Sequence, residues 1–443
     1  MPLITDSHET WDPNVTYVIG HQRPDTDAIA SALGYAWFLT NTGSENVVAS
    51  RAGQPNGQVA FALQRFEQAA PRLLAAVAPT FAHVLRTQVA LTPDQPISQA
   101  MARLAQGEPT VPVVDADGKP TGAVTPLALA RVYSLAIGHL DAMAPSYHSL
   151  VEELPIFRAR DRISDHRNAL LRSDSNEFLV VDDAGRYVGM ATQRRLLQPP
   201  RARLILVDHN ELSQAVNGAD EADIVAVLDH HRLGNPPTAA PIPFVVDPIG
   251  STATLVAEQC RAHDLTPPTG IAGMLLSGIL SDTLVFRSPT VTDRDRAAAA
   301  WLAEIAKVDA DTYGEELLRA APGLNNRAAE DIANADRKNY DMGEVAVSIA
   351  QVEVTGLQEL PQRREELLET MDQIALRENL ALMCLMVTDV VTGRSHMLCR
   401  GSSQLLDGLP FARSDEFEFD LGDIVSRKKQ LVPIINSALE DGL

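Results

Sequence analysis

The sequence predicts an α/β fold, with an N-terminal doubly wound parallel-sheet domain and a smaller C-terminal α/β domain. Three observations predict it. Short apolar runs alternate with helical apolar spacing at the start of the chain, and this alternation resumes after residue 203. Between the two halves, the stretch Val113–Thr125 recurs without gaps as Val180–Thr192, an offset of 180 − 113 = 67 residues. The N-terminal domain is therefore interrupted by an inserted tandem repeat. Beyond residue 324 a separate set of strands and an amphipathic helix follows.

The elements are justified in order. Val15–Ile19 is a buried strand, and helical apolar positions begin at Ala28 and continue through Leu33 and Trp37. A strand at Asn46–Ser50 and a helix at about Gly57–Ala69 complete the first segment, 1–70. The insertion occupies 71–201. In each repeat an Asp and a Gly make a hairpin turn, Gly122 or Gly189 relieves the second strand, and Thr125 or Thr192 caps the next helix. The first domain resumes over 202–321 with strands at Leu204–Val207, Ile224–Leu228 and Phe244–Val246, then helices through Leu318. Ala321-Pro322-Gly323 reads as a linker. The last domain, 324–443, has strands at Val345–Val352, Leu380–Val387 and Ser395–Cys399 and a helix at 361–376.

Composition bounds the function. Lysine plus arginine number 37 and aspartate plus glutamate 58, so the formal charge is 37 − 58 = −21. Such an acidic surface repels nucleic acid and anionic membranes, and neither is expected as a partner. No apolar stretch is long enough to span a bilayer. The N-terminus lacks the basic and apolar runs of a signal peptide. Three cysteines, irregularly spaced, argue for a reducing compartment and against a disulfide framework. A cytoplasmic location is expected.

The chemistry is concentrated in four short segments. Gly20-His21-Gln22-Arg23-Pro24-Asp25-Thr26-Asp27 follows the first strand and brings one imidazole and two carboxylates within seven residues. A divalent cation gathers such groups, and a helix N-cap explains Asp25 or Asp27 equally well. The same ligand types recur in Val207-Asp208-His209-Asn210-Glu211, Leu228-Asp229-His230-His231 and Ser281-Asp282-Thr283. The carboxyl ends of parallel strands share one edge, where ligands bind. His21, Asp25, Asp27, Asp208, His230, His231 and Asp282 can therefore converge and hold two cations. Sulfur is absent from the set, which disfavours structural zinc and suits manganese, cobalt or iron.

The order and wording of these segments resemble the DHH phosphoesterase superfamily and, within it, the family II inorganic pyrophosphatases. The tandem repeat resembles a CBS-domain pair, so the chain is similar to the CBS-containing subclass. Asp336-Arg337-Lys338 and Ser426-Arg427-Lys428-Lys429 are similar to the pyrophosphatase pattern in the C-terminal domain. The resemblance implies hydrolysis of pyrophosphate to two phosphates by a metal-bridged hydroxide. It implies two Mn2+ or Co2+ ions per site, with Mg2+ arriving with the substrate. One ion would take His21, Asp25, Asp208 and Asp282; the other would take Asp27, Asp208, His230 and Asp282. His231, Lys338, Arg427 and Lys428 would grip the phosphates. Asp229 and His209 would orient the ligating side chains. The implied partners are AMP, ADP or ATP at the CBS pair and further copies of the chain in a homodimer or higher homo-oligomer.

Two departures from the pattern stand out. Arg23 occupies a position where the family usually has Asn. The CBS pattern of Thr or Ser with Asp three residues later is broken in both units, where Ala128 follows Thr125 and Arg195 follows Thr192. The resemblance leaves three rivals: a DHH-family phosphodiesterase, an exopolyphosphatase, and a non-catalytic nucleotide sensor.

Overall fold

The computed structural model describes residues 11–137 and 150–442, apart from 235, 239, 321, 322, 326, 343, 344, 355, 390 and 391. Ala321 and Pro322 of the expected linker lie outside the described residues, as does the whole stretch before Trp11.

Strands β1 (Thr16–Ile19), β2 (Val47–Arg51) and β3 (Arg72–Leu73) begin the first sheet. Successive side chains of a strand point to opposite faces. Tyr17 and Ile19 accordingly pack on one face with Leu204 and Leu206, while Val18 packs on the other with Ile29, Ile205 and Leu275. The chain then leaves through the insertion, with β4 (Val111–Val114), β5 (Pro120–Val124), β6 (Val151–Glu152), β7 (Ile156–Arg158), β8 (Glu177–Val181) and β9 (Tyr187–Thr192). It returns as β10 (Arg203–Val207), β11 (Asp223–Asp229) and β12 (Phe244–Val246). The resulting sheet has the order β12-β11-β10-β1-β2-β3, and every pairing is parallel. Both faces are covered, as parallel sheets require. The helix Thr269–Asp282, buried at Ile271–Leu280, packs on the helix Thr26–Asn41.

The repeat found in the sequence is a structural repeat. In one hairpin Val113 pairs with Gly122 and the register shifts between Val113 and Val114. In the other, Val180 pairs with Gly189 and the shift falls between Val180 and Val181, at the same offset. Each hairpin belongs to its own three-stranded sheet, β4-β5-β6 or β7-β8-β9. Thr125 and Thr192 cap as expected, accepting from the backbone N–H of Ala128 (3.0 Å) and Arg195 (3.4 Å). Hydrogen bonds tie the insertion to the first domain. Val77 N–H donates to Asn217 O at 2.8 Å, and Glu221 accepts from Arg162 and from Ser164 Oγ.

The C-terminal sheet comprises β13 (Lys338–Met342), β14 (Val345–Val354), β15 (Leu382–Asp389), β16 (Arg394–Gly401), β17 (Ala412–Asp415) and β18 (Glu418–Gly422). Its order is β13-β14-β15-β16-β18-β17, with β14 and β15 parallel and the other neighbours antiparallel. The amphipathic helix runs from Leu360 to Glu378 and buries Leu367, Leu368, Met371 and Ile374 against one face. No helix among the described residues is long and apolar enough to cross a membrane.

Candidate metal centre and interdomain cleft

The first sheet delivers three of the expected groups to one edge. His21 follows β1, Asp208 follows β10, and His230 follows β11. Asp25 is the N-cap of the helix Thr26–Asn41, with its Oδ1 accepting from Ala28 N–H at 2.9 Å. Asp27 sits in the first turn of that helix and Asp282 ends the helix Thr269–Asp282. Two glycines permit this crowding. A Cβ on Gly20 would stand 2.6 Å from Ala28 Cβ, and a Cβ on Gly278 would stand 2.7 Å from Asp27 Oδ1.

Asp208 is the hub. It is fully buried, and its backbone takes a left-handed conformation, φ +61°. A non-glycine residue in that region is uncommon and concentrates at functional sites. Asp208 Oδ2 lies 3.5 Å from His21 Nε2, and Oδ1 lies 3.4 Å from His230 Nε2. His21 Nε2 is 3.4 Å from Asp25 Oδ2, and His230 Nε2 is 3.5 Å from Asp282 Oδ2. Hydrogen bonds set the orientation of His230, His231 and His209. His230 Nδ1–H donates to Ile249 O at 3.1 Å, and His231 Nδ1–H donates to Asp229 Oδ1 at 2.9 Å. Asp229 is itself held by Asn210 and by the backbone N–H of His230 and His231. His209 donates from Nδ1 to Val207 O at 2.9 Å.

The donor set fits divalent cations. The ligand atoms of Asp27, Asp208, His230 and Asp282 all lie within 4.8 Å of one another, as do those of His21, Asp25 and Asp208 and those of Asp208, His230 and His231. Asp208 Oδ2 and His230 Nε2 are buried without a hydrogen-bond partner. Buried polar atoms are otherwise almost always paired. Four carboxylates and three imidazoles, without sulfur, suit a hard or borderline ion.

The electrostatics follow from the crowding. Burial disfavours charge on His21, yet the Asp208 and Asp25 carboxylates beside it raise its pKa to about 10. The same competition, with Asp208 as the main partner, raises His230 to about 9. Burial would raise Asp208, but the adjacent His21 and His230 rings hold it well below the usual carboxylate range. Asp27 is pushed up to about 7 by burial and by the Asp208 charge. Asp282 is pushed well up by burial and by the neighbouring aspartates.

Sequence reasoning left Ser251 and Thr252 outside the site. They touch it directly. Asp27 accepts from Ser251 Oγ (2.8 Å), Thr252 N–H (2.6 Å) and Ala253 N–H (2.9 Å), and Thr252 Oγ1 donates to Asp208 Oδ1 at 3.1 Å. The N-terminus of the helix Thr252–Ala262 thus holds one carboxylate by its unpaired N–H groups. The only local signal was a Ser-Thr cap. Gln58 was also missed. Its Oε1 accepts from Thr26 Oγ1 and Ser281 Oγ, each at 2.8 Å, which ties the two helices that carry Asp27 and Asp282. Arg23 is exposed.

The expected basic groups lie on the other domain. Lys338 starts β13 opposite Ile349, and the Arg427 guanidinium reaches Asp336 Oδ2 at 2.9 Å. Arg427 is buried, its Nε has no hydrogen-bond partner, and its backbone N–H donates to Gln351 Oε1 at 3.3 Å. Lys338 and Lys428 are exposed. No contact among the described residues links these three to the carboxylate cluster; a cleft of about 590 Å³ separates the domains. Asp25, Asn56, Gln58 and Asp282 line one wall, and Glu353, Thr388 and Val425 line the other.

Comparison with known proteins agrees with this geometry. The model of the DHH family, N-terminal domain, matches residues 15–279, and that of the DHHA2 domain matches 315–438. The chain belongs to the DHH family. Among curated relatives of this DHH chain, the "Manganese-dependent inorganic pyrophosphatase" of Bacillus subtilis is 37% identical over 239 residues, covering 54% of this chain and 77% of the relative. A "Probable manganese-dependent inorganic pyrophosphatase" of Thermotoga maritima is 26% identical over 96% of this chain and 98% of its own length. The "Cobalt-dependent inorganic pyrophosphatase" of Clostridium perfringens is 32% identical over 62% of this chain and 50% of its own. A solved structure described as "Methanococcus jannaschii putative family II inorganic pyrophosphatase" shares the fold, with a TM-score of 0.52 and 24% identity over 96% of this chain and 100% of that one.

Proposed function

We propose that this DHH-family chain is a metal-dependent inorganic pyrophosphatase that hydrolyses pyrophosphate to two phosphates. The observation that carries the reading is the convergence of His21, Asp25, Asp27, Asp208, His230 and Asp282, with Asp208 common to every cluster. The names of the relatives support manganese or cobalt as the resident ion and pyrophosphate as the substrate. In this reading His21, Asp25, Asp208 and Asp282 hold one ion, and Asp27, Asp208, His230 and Asp282 hold the other. Mg2+ enters with the substrate. Once bound, such ions supply Lewis acidity, which lowers the pKa of water and neutralises phosphoryl charge.

The chain's own groups do the rest. Asp229 holds Nδ1–H of His231, which leaves Nε2 to meet a phosphate oxygen. Arg427, Lys338 and Lys428 face the substrate from the second domain and offset charge on the equatorial and leaving oxygens. Closing the cleft brings the two half-sites together and excludes water. The test is colorimetric phosphate release from pyrophosphate, tripolyphosphate and a dinucleotide. Rapid release from pyrophosphate alone supports the reading; preference for the dinucleotide or the longer polyphosphate transfers it to the rival DHH activities.

For the insertion the reading is a CBS pair that binds AMP, ADP or ATP and modulates turnover. The support is the matched hairpins and two polar clefts. One, of about 510 Å³, is lined by Arg86, Gln88 and Arg103; the other, of about 560 Å³, by Asn176, Thr192 and Arg194. Arg86 Nε, Thr110 Oγ1 and Glu177 Oε2 are buried nearby without hydrogen-bond partners. In the second unit Arg195 takes the place of the absent carboxylate, so the grip there is on phosphate rather than ribose. The same region exposes Val89, Met101, Leu127, Tyr133, Ile156, Leu171 and Leu197. A second copy of the chain covering these residues makes the protein a homodimer or higher homo-oligomer.

A further inference from the structure

We propose that Arg287 is a further phosphate-binding residue of the cleft, one that exchanges Glu315 for a substrate oxygen. The inference rests on the pyrophosphatase reading. It begins with the backbone after Asp282. Leu284, Val285 and Phe286 have φ of +51°, +52° and +63°. None is glycine and one is β-branched, so the left-handed turn is strained at three successive positions. Its surroundings hold it. Val285 N–H donates to Leu280 O at 2.8 Å, Ser288 N–H donates to Thr283 O at 2.9 Å, and the Arg296 guanidinium lies 5.0 Å over the Phe286 ring. The turn reverses the chain, so that Arg287, Ser288 and Pro289 line the cleft together with Ser281 and Asp282.

Charge then points to the occupant. Among the residues lining this cleft, Asp25, Asp282 and Glu353 are acidic and Arg287 is the only base. A polyanion entering here meets Asp25 and Asp282 on one wall and Glu353 on the other, and even with cations on the aspartate cluster its far oxygens need a donor on the first-domain side. Guanidinium offers a planar fork matched to phosphate. The present partner of Arg287 is Glu315, on the helix Ala310–Arg319. The two side chains are 41% and 33% exposed. An ion pair so open to water contributes little and exchanges readily.

The test is steady-state kinetics of the manganese-loaded full chain on pyrophosphate, comparing Arg287→Gln, Arg287→Lys and Glu315→Gln. Loss of the fork should raise KM by about tenfold, with kcat changed less than about threefold, because the lost contact is made in ground and transition states alike. Arg287→Lys should recover part of the affinity, and Glu315→Gln should keep the parent KM. An unchanged KM in Arg287→Gln overturns the inference alone. So does a Glu315→Gln variant with the same defect as Arg287→Gln, because the ion pair would then be the cause. If Arg287→Gln fails to fold, Arg287→Lys decides, and a KM equal to the parent's counts against the fork. A parent chain inactive on pyrophosphate removes the underlying reading and this inference with it.

Discussion

Stripping the protein of metal and adding manganese back at pH 7 should release about two protons per site from the imidazoles alone. His21 stands at about 10 and His230 at about 9 in the metal-free protein, so both rings carry a proton there on nearly every molecule. A cation on either Nε2 displaces it. Asp27, at about 7, adds roughly half a proton, and the raised Asp282 adds to the total. The sign for stability follows. A folded-state pKa raised above its unfolded value stabilises the fold below the unfolded pKa, and the gain is lost as pH rises through the folded one. The metal-free protein should therefore melt at lower temperature at pH 9 than at pH 7, whereas manganese should stabilise more at the higher pH. Asp208→Asn removes the main partner of both imidazoles, and burial then draws them back toward neutrality. That variant should release fewer protons and bind manganese more weakly. The assay is isothermal titration in two buffers of different ionisation enthalpy. Heats independent of buffer, or equal proton release from the parent and Asp208→Asn, would refute the arrangement.

Other outcomes follow from the same geometry. Asp282→Asn should abolish turnover while leaving the metal-free protein at least as stable as the parent, since it removes a carboxylate that burial and neighbouring aspartates disfavour; each pKa unit of such relief is about 1.4 kcal/mol, read by differential scanning calorimetry. Gly278→Ala puts a Cβ 2.7 Å from Asp27 Oδ1 and 3.1 Å from Ala253 Cβ. Overpacking there should cost about 1–3 kcal/mol by urea denaturation and lower manganese affinity as well. Leu127→Lys combined with Leu171→Lys should shift sedimentation toward the monomer if the apolar face of the insertion meets a second copy. Fluorescence titration with AMP should show binding that Arg86→Gln weakens, and an unchanged affinity would move the ligand away from that cleft.

Much of the cluster was legible because each of its groups follows an apolar strand or sits at the end of a helix. Asp25 shows why the cap and ligand readings were hard to separate: it caps its helix through Oδ1 and approaches His21 through Oδ2. The two roles use different oxygens. Ser251 and Thr252 were not legible, because their partner Asp27 is more than two hundred positions away in sequence and a Ser-Thr cap looks the same wherever it points. The turn at Leu284–Phe286 carries no Gly or Asn to announce it. In the fold, β3 is too short to carry a period, yet it extends the parallel sheet to Leu73. Strand β17 is exposed throughout and reads as loop from its polarity. The helix at the start of the chain begins at Thr26, two residues ahead of the first apolar position, because Asp25 fixes its end. The repeat was the clearest feature, since a matched hairpin register needs the same Gly at the same place.

The most direct test of the central claim is phosphate release from pyrophosphate by metal-stripped protein, before and after reloading with manganese or cobalt. The account predicts little release without the metal, rapid release with either ion, and none from Asp208→Ala under any condition. Full turnover by Asp208→Ala, or no release by the parent with either ion, would contradict it.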